Sequence, residues 1–157
     1  MVTPRTEKAY EKHAWILLFV IGIFSLIGAI PFLLGIDLDP TFEEGIIGMK
    51  LSALKASNPR FFDFYTFYDR VVGLLFLAIA LPSIVISATA YKRGEKWAWY
   101  PLWVIPVVFI GIIATELGVG GESSSVLAGN LALLIVYLMG LLLPYRKFFP
   151  KRAVMRT

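Results

Sequence analysis

The sequence predicts an all-α integral membrane protein, an antiparallel bundle of four transmembrane helices with a short outer amphipathic helix between helices 1 and 2. The 157 residues are 58% hydrophobic and only 17% charged, with a mean hydropathy of +0.75. Soluble domains average about 45–50% apolar residues and about a quarter charged. Four segments stay apolar over roughly the 20 residues that a helix needs to cross a bilayer. The charges lie almost entirely outside these segments.

The predicted spans cover residues 14–34, 71–90, 97–117 and 126–143. Glu116, at the end of the third span, is the only charged residue within them. None of the four alternates apolar and polar residues as the strands of a membrane barrel do. We therefore expect a single four-span membrane domain over residues 1–157.

Basic residues predict the orientation of these spans. They concentrate in the two terminal segments and in residues 91–96, whereas most acids lie in residues 35–70 and 116–125. Because cytoplasmic loops are rich in Lys and Arg, we predict a cell-membrane protein with both termini in the cytoplasm. Aromatic rings favour the headgroup level, which makes interface anchors of Trp15, Trp97, Trp99, Tyr100, Trp103 and Tyr145.

The longest connection, residues 35–70, is expected on the outer side of the membrane. Residues 41–44 (Thr-Phe-Glu-Glu) match a capping box, in which the first hydroxyl and the last carboxylate satisfy backbone donors. Apolar residues then recur at helical spacing. The pattern predicts one amphipathic helix from about Thr41 to Ala56, which Asn58-Pro59 ends.

An aromatic stretch, residues 61–68, leads into the second span. Since Pro59 can open a helix, the second span is predicted to protrude as a continuous helix from about Arg60. Two interpretations of the stretch stay open. It is either an aromatic belt at the membrane interface or the wall of an outer pocket or partner-docking ridge.

The other two connections are short, residues 91–96 and 118–125. Short connections favour adjacent helices, so spans 2 and 3, and spans 3 and 4, are predicted to lie side by side. This arrangement would gather a set of polar side chains at the outer end. These candidate residues are Asp69, Arg70, Glu116 and Asn130, with Asp63 just beyond. They are either rim charges paired with Arg70 or an inter-helix cluster that binds a proton or a ligand, with a metal site as a third interpretation.

Catalytic motifs are missing from the sequence. It contains one histidine and no cysteine, which excludes a thiolate nucleophile and a paired-histidine metal motif. Residues 118–122 lack the lysine of a phosphate-binding loop. We therefore predict no catalytic residue and no metal site, leave any cofactor unknown, and expect no nucleic-acid partner.

Two functions follow from these features. The first is a non-enzymatic multi-pass protein that contacts the lipid bilayer and either self-associates or serves as an accessory or structural subunit of a larger membrane complex. The alternative is a binder, carrier or enzyme for an apolar, lipid-like small molecule held between the helices. In that alternative the outer carboxylates supply the polar end of the site.

Overall fold

The computed structural model describes residues 8–36, 40–119 and 124–150, and over these residues the chain forms helices and turns with no strand. Four stretches are long and apolar enough to cross a membrane, which confirms the prediction of four spans. Spans 1 to 4 are Ala9–Leu34, Pro59–Tyr91, Lys96–Gly118 and Val126–Phe148.

The helices are α1 (Ala9–Leu34), α2 (Thr41–Ile47), α3 (Leu51–Ser57), α4 (Pro59–Ile86), α5 (Lys96–Trp99), α6 (Val104–Val119), α7 (Ser124–Leu142) and α8 (Tyr145–Phe148). Span 2 continues from α4 into a π-helical turn, Ser87–Tyr91. Span 3 joins α5 to α6 through a 3₁₀ turn, Pro101–Trp103. Proline suits the first position of that turn because it has no N–H to satisfy there.

The segment between spans 1 and 2 corrects the prediction of a single outer helix. It forms two short helices, because the chain turns at Gly48 with φ of 74°, a conformation that glycine adopts readily. The N-cap of α2 is Pro40 rather than Thr41. The Glu44 carboxylate does not close the predicted capping box at Thr41; it accepts a hydrogen bond of 2.9 Å from the backbone N–H of Leu51. Glu44 thus caps the start of α3.

The second span protrudes beyond the apolar segment, as the sequence predicts. Pro59 is its first residue, and the Asn58 side chain accepts a hydrogen bond of 3.2 Å from the N–H of Phe61. The aromatic stretch forms the first turns of α4, where α3 packs against it. Phe64 and Phe67 are nevertheless largely exposed.

Spans 1 and 2 form the most extensive helix pair of the described chain. Two glycines allow the close approach. A Cβ at Gly22 would lie 2.8 Å from Cγ1 of Ile84, and a Cβ at Gly73 would lie 2.9 Å from Cβ of Phe32. Small residues let helices in lipid approach until their backbones nearly touch. The glycines therefore fix which faces of spans 1 and 2 meet.

Span 4 packs against span 1 and against span 3. Spans 2 and 3, by contrast, have few contacts beyond the turn that joins them, so the prediction that they lie side by side is wrong. The buried face of α4 carries small residues, Gly73, Ala80 and Ser83. Span 1 occupies this face of span 2, with close contacts at Gly73. The short turn between spans 2 and 3 therefore brings together only the two ends that it joins.

All four spans meet at one end of the molecule, which we call the basic end. The ring of Tyr91 lies 4.5 Å from that of Phe148, and the ring of Trp99 lies 5.9 Å from that of Tyr145. The ammonium group of Lys92 sits 4.6 Å above the ring of Trp15. These contacts join the start of span 1, the end of span 2, the start of span 3 and the end of span 4.

Pro144 explains part of this convergence. It has no N–H, so the carbonyl of Gly140 lacks its helical donor at the end of α7. The hydroxyl of Tyr91 donates to that carbonyl at 2.7 Å. The indole N–H of Trp99 donates to the next carbonyl, that of Leu141, at 3.2 Å. Side chains from spans 2 and 3 thus donate hydrogen bonds to backbone carbonyls at the end of α7.

Candidate functional site

The opposite end, which we call the acidic end, contains a polar pair joining spans 3 and 4. Asn130, on α7, donates a hydrogen bond of 2.7 Å from Nδ2 to Oε1 of Glu116 on α6. The second carboxyl oxygen of Glu116, Oε2, is buried and has no hydrogen-bond partner among the described residues. A buried acceptor without a donor costs about 1–3 kcal/mol, and more when it is charged. This pair therefore has unused capacity to accept a hydrogen bond.

A half-open cavity of about 220 Å³ lies beside the pair, and residues of all four spans line it. We call it the central cavity; it is lined by Gly28 and Phe32 of span 1, Phe76 of span 2, Phe109 of span 3, and Asn130 and Leu133 of span 4, among others. Asn130 and Ser25 supply its polar side chains, and the rest of the lining is apolar. An apolar cavity with one or two placed polar groups has the composition of a small-molecule site.

The central cavity follows from how the spans pair. Spans 1 and 2, spans 1 and 4, and spans 3 and 4 are in contact, whereas spans 2 and 3 are not in extensive contact. The unfilled side of the assembly therefore lies between spans 2 and 3. Gly28 adds to the space, because a Cβ at that position would have no atom within 4 Å.

The predicted polar residues divide between different surroundings. Glu116 and Asn130 are brought together, as described above. Asp63 is exposed on the protruding turns of α4, and Asp69 is half-buried. Arg70 is exposed, and its guanidinium Nη2 lies 3.7 Å from where a Cβ of Gly35 would be.

Gly35 is the left-handed C-cap of α1. A cation beside the C-terminal end of a helix is favoured by the helix dipole. The structure thus gives Arg70 a role at the end of α1.

The predicted interface anchors gather at the basic end. The ring of Trp99 is at the centre of the group. Its centroid lies 5.5 Å from the ring centroid of Tyr100, 5.3 Å from that of Trp103, 5.9 Å from that of Tyr145 and 5.4 Å from that of Phe149. Trp15 lies under Lys92, whereas Trp97 is exposed. The contacts of Trp99 with Tyr145 and Phe149 join span 3 to the end of span 4, whereas those with Tyr100 and Trp103 lie within span 3.

Two buried tyrosines in the core are harder to find from the sequence. Tyr91 and Tyr137 are both almost fully buried and belong to the same hydrophobic core. The hydroxyl of Tyr137 has no partner among the described residues. Tyr137 sits in the middle of an apolar run, and only its polarity at membrane depth could have singled it out.

The turn between spans 2 and 3 contains an ion pair. Arg93 Nε lies 2.7 Å from Oε1 of Glu95, and the indole N–H of Trp97 donates to Oε2 of Glu95 at 2.6 Å. The hydrogen bond from Arg93, followed by that from Trp97, holds the pKa of Glu95 below its ordinary range. Among residues 8–36, 40–119 and 124–150, no group of three or more potential metal ligands could hold a metal ion.

Comparison of the chain with protein-family models, with curated proteins and with solved structures found no match. The function must therefore be inferred from the geometry of the chain itself. The central cavity and the Glu116–Asn130 pair are the features of that geometry that point to a ligand.

Proposed function

We propose that the protein is an antiparallel four-helix bundle of the cell membrane, with both termini in the cytoplasm, that binds an apolar, lipid-like small molecule in the central cavity. The observation that carries the proposal is the cavity itself, lined by residues of all four spans and polar only at Asn130 and Ser25. A gap between membrane helices is surrounded by acyl chains, so an elongated apolar molecule can enter it from the side.

The size of the central cavity limits its occupant. About 220 Å³ is below the roughly 300–1,000 Å³ of typical small-molecule pockets. A single acyl or isoprenoid-like chain therefore fits better than a polycyclic ligand. Its polar end would lie at Asn130, where Glu116 holds the amide in place.

The chemistry of the polar pair favours a ligand whose head donates a hydrogen bond. Glu116 Oε2 is buried without a donor among the described residues, and a carboxylate can only accept. A hydroxyl or amine at the head of the ligand could reach this pair after a small displacement of the side chains. Such a bond would offset the cost of the unsatisfied acceptor.

Two glycine substitutions test the proposal. Gly28→Leu fills the central cavity, whereas Gly111→Leu adds the same side chain to the exposed surface of span 3, where a Cβ also meets no atom within 4 Å. Native mass spectrometry after gentle detergent extraction should show a bound lipid-like mass on the wild type and on Gly111→Leu, and its loss from Gly28→Leu. Equal retention by all three proteins, or no retained ligand on the wild type, would refute ligand binding in this cavity.

A second candidate function is self-association or service as an accessory subunit. It is favoured by span 3, whose exposed face carries Val107, Ile110 and Leu117 while its membrane-embedded part packs mainly against span 4. A stoichiometric protein partner or a second copy of the chain in the same mass spectra would support this function.

The orientation has its own test. Reporter fusions at Gly94 and at Thr157 should read cytoplasmic, and a fusion at Ser124 should read external. The support is the excess of Lys and Arg at the basic end, because cytoplasmic segments are rich in these residues. A cytoplasmic reading at Ser124 would overturn the proposed topology.

A further inference from the structure

Two turns that are distant in sequence form one positively charged surface at the basic end. The turn after span 2 (residues 91–96) and the end of span 4 (residues 144–150) together contain a single acid, Glu95. That acid is already paired with Arg93 at 2.7 Å. Five bases against this one acid give the two turns a net positive charge. We call the four bases other than Arg93 the basic surface: Lys92, Lys96, Arg146 and Lys147.

Direct contacts hold the two turns together. The ammonium group of Lys147 donates to the backbone carbonyl of Lys92 at 3.0 Å. The methylenes of Lys147 lie against Gly94, where a Cβ would come within 2.9 Å of Cε of Lys147. Gly94 also has φ of 78°, a backbone conformation that favours glycine. These contacts hold Lys147 beside the turn that contains Lys92.

Aromatic side chains set the depth of the basic surface in the membrane. Trp97, Tyr100 and Tyr145 are 55%, 59% and 47% exposed and lie on the same turns and short helices as the bases. Exposed Trp and Tyr rings settle at the headgroup level. The neighbouring ammonium and guanidinium groups must then lie near the lipid phosphates.

We propose that the basic surface binds the headgroups of anionic phospholipids, in preference to zwitterionic ones. The positive charge of bases held together near the phosphate level carries the proposal. Each Lys or Arg near a membrane surface strengthens binding to anionic lipid by about fivefold. This site is at the opposite end from the Glu116–Asn130 pair and does not depend on the ligand of the central cavity.

The test compares lipids that differ only in the headgroup. The purified full chain is mixed with equimolar phosphatidylglycerol and phosphatidylcholine of the same acyl chains, and the retained lipids are counted by native mass spectrometry. We expect phosphatidylglycerol to be retained selectively by the wild type. Equal retention of the two lipids would overturn the proposal.

Matched variants separate the basic surface from the overall charge. Lys92→Gln with Lys147→Gln removes two bases from the basic surface, and we expect at least a fivefold loss of selectivity, given about fivefold per base. Lys50→Gln with Arg60→Gln makes the same charge change on two exposed residues, one between spans 1 and 2 and one in the first turn of α4, and selectivity should be kept. Equal losses in both pairs would show a general charge effect and contradict a local site.

A further variant pair guards against a folding defect. Lys92→Arg with Lys147→Arg keeps both charges and should keep the selectivity for phosphatidylglycerol. If the glutamine pair fails to fold, the salt dependence of the wild type decides the matter. Selectivity should fall between about 0.1 M and about 1 M salt, where the screening length shrinks from about 10 Å to about 3 Å; selectivity that does not change with salt would overturn the proposal.

Discussion

Span 2 meets its two neighbours along the chain in opposite ways. It packs against span 1 with glycines at the contact, so closely that Gly73 has no room for a methyl group beside Phe32 and Leu33. Against span 3 it has few contacts beyond their turn, and the central cavity lies on that side. The chain connection is long in the first case and short in the second, so proximity in sequence does not decide which helices pack.

The difference reflects what drives association inside a bilayer. Lipid tails are as apolar as the helices, so burial from water contributes little and close van der Waals fit decides the pairing. Span 2 offers small residues to span 1 and bulkier ones elsewhere. Where fit is poor, acyl chains or a ligand can occupy the space, which is why the loosely packed side is the side with a candidate site.

The largest expected effect comes from breaking the tight interface. Gly73→Leu would place a side chain 2.9 Å from Cβ of Phe32 and 3.0 Å from the backbone N of Leu33. Backbone atoms cannot yield as a flexible side chain would, so we expect a loss of about 3 kcal/mol in the free energy of unfolding. Unfolding by SDS in mixed micelles, followed by circular dichroism, measures it. The control, Gly111→Leu, meets open space and should cost nothing; equal stability of the two variants would contradict the tight packing of spans 1 and 2.

A smaller loss is expected where all four spans meet. Tyr91→Phe removes the donor to the Gly140 carbonyl, which Pro144 leaves without a helical N–H. We expect a loss of about 2 kcal/mol in the free energy of unfolding. Tyr100→Phe, at a tyrosine that is 59% exposed, should change stability by less than about 0.5 kcal/mol. If the two variants were equally stable in the same SDS titration, the hydroxyl of Tyr91 would have no role at the end of α7.

The next prediction concerns the polar pair, Glu116 and Asn130, beside the central cavity. Asn130→Leu removes the donor to Glu116, and we expect a loss of about 1 kcal/mol, as for other inter-helix hydrogen bonds in membranes. Adding Glu116→Leu should recover part of that loss, because the double variant leaves no unpaired carboxyl. The coupling energy from this double-mutant cycle is the measurement. Additive effects of the two substitutions would show that the hydrogen bond contributes no stability.

The four spans are the part of the fold that the sequence predicts well, because hydropathy depends on composition alone. Glu116 and Asn130 can also be grouped from the sequence, since a short turn joins the ends on which they lie. The break at Gly48 and the loose contact of spans 2 and 3 could not be predicted. The break depends on the backbone conformation of Gly48, and the loose contact depends on which helix faces fit together. Hydrophobic periodicity contains neither property. The central cavity results from how the helix faces fit, so it could not be predicted from the sequence either.

The smallest expected effect concerns Glu95, which lies in the turn between spans 2 and 3. Its pKa is lowered chiefly by the hydrogen bond from Arg93 and then by that from Trp97. A carboxyl whose pKa is lower in the folded state stabilises that state above its unfolded pKa, and the contribution is lost as the pH falls through the folded pKa. Arg93→Gln removes the largest cause, so the pKa of Glu95 should rise toward its ordinary range while the Trp97 bond keeps part of the shift. A carboxyl ¹³C NMR titration in detergent measures this pKa directly.

Arg146→Gln removes a base from the other turn of the basic end and should leave the pKa of Glu95 nearly unchanged. An equal rise in both variants would mean that long-range charge, and not the local hydrogen bond, sets the protonation of the turn.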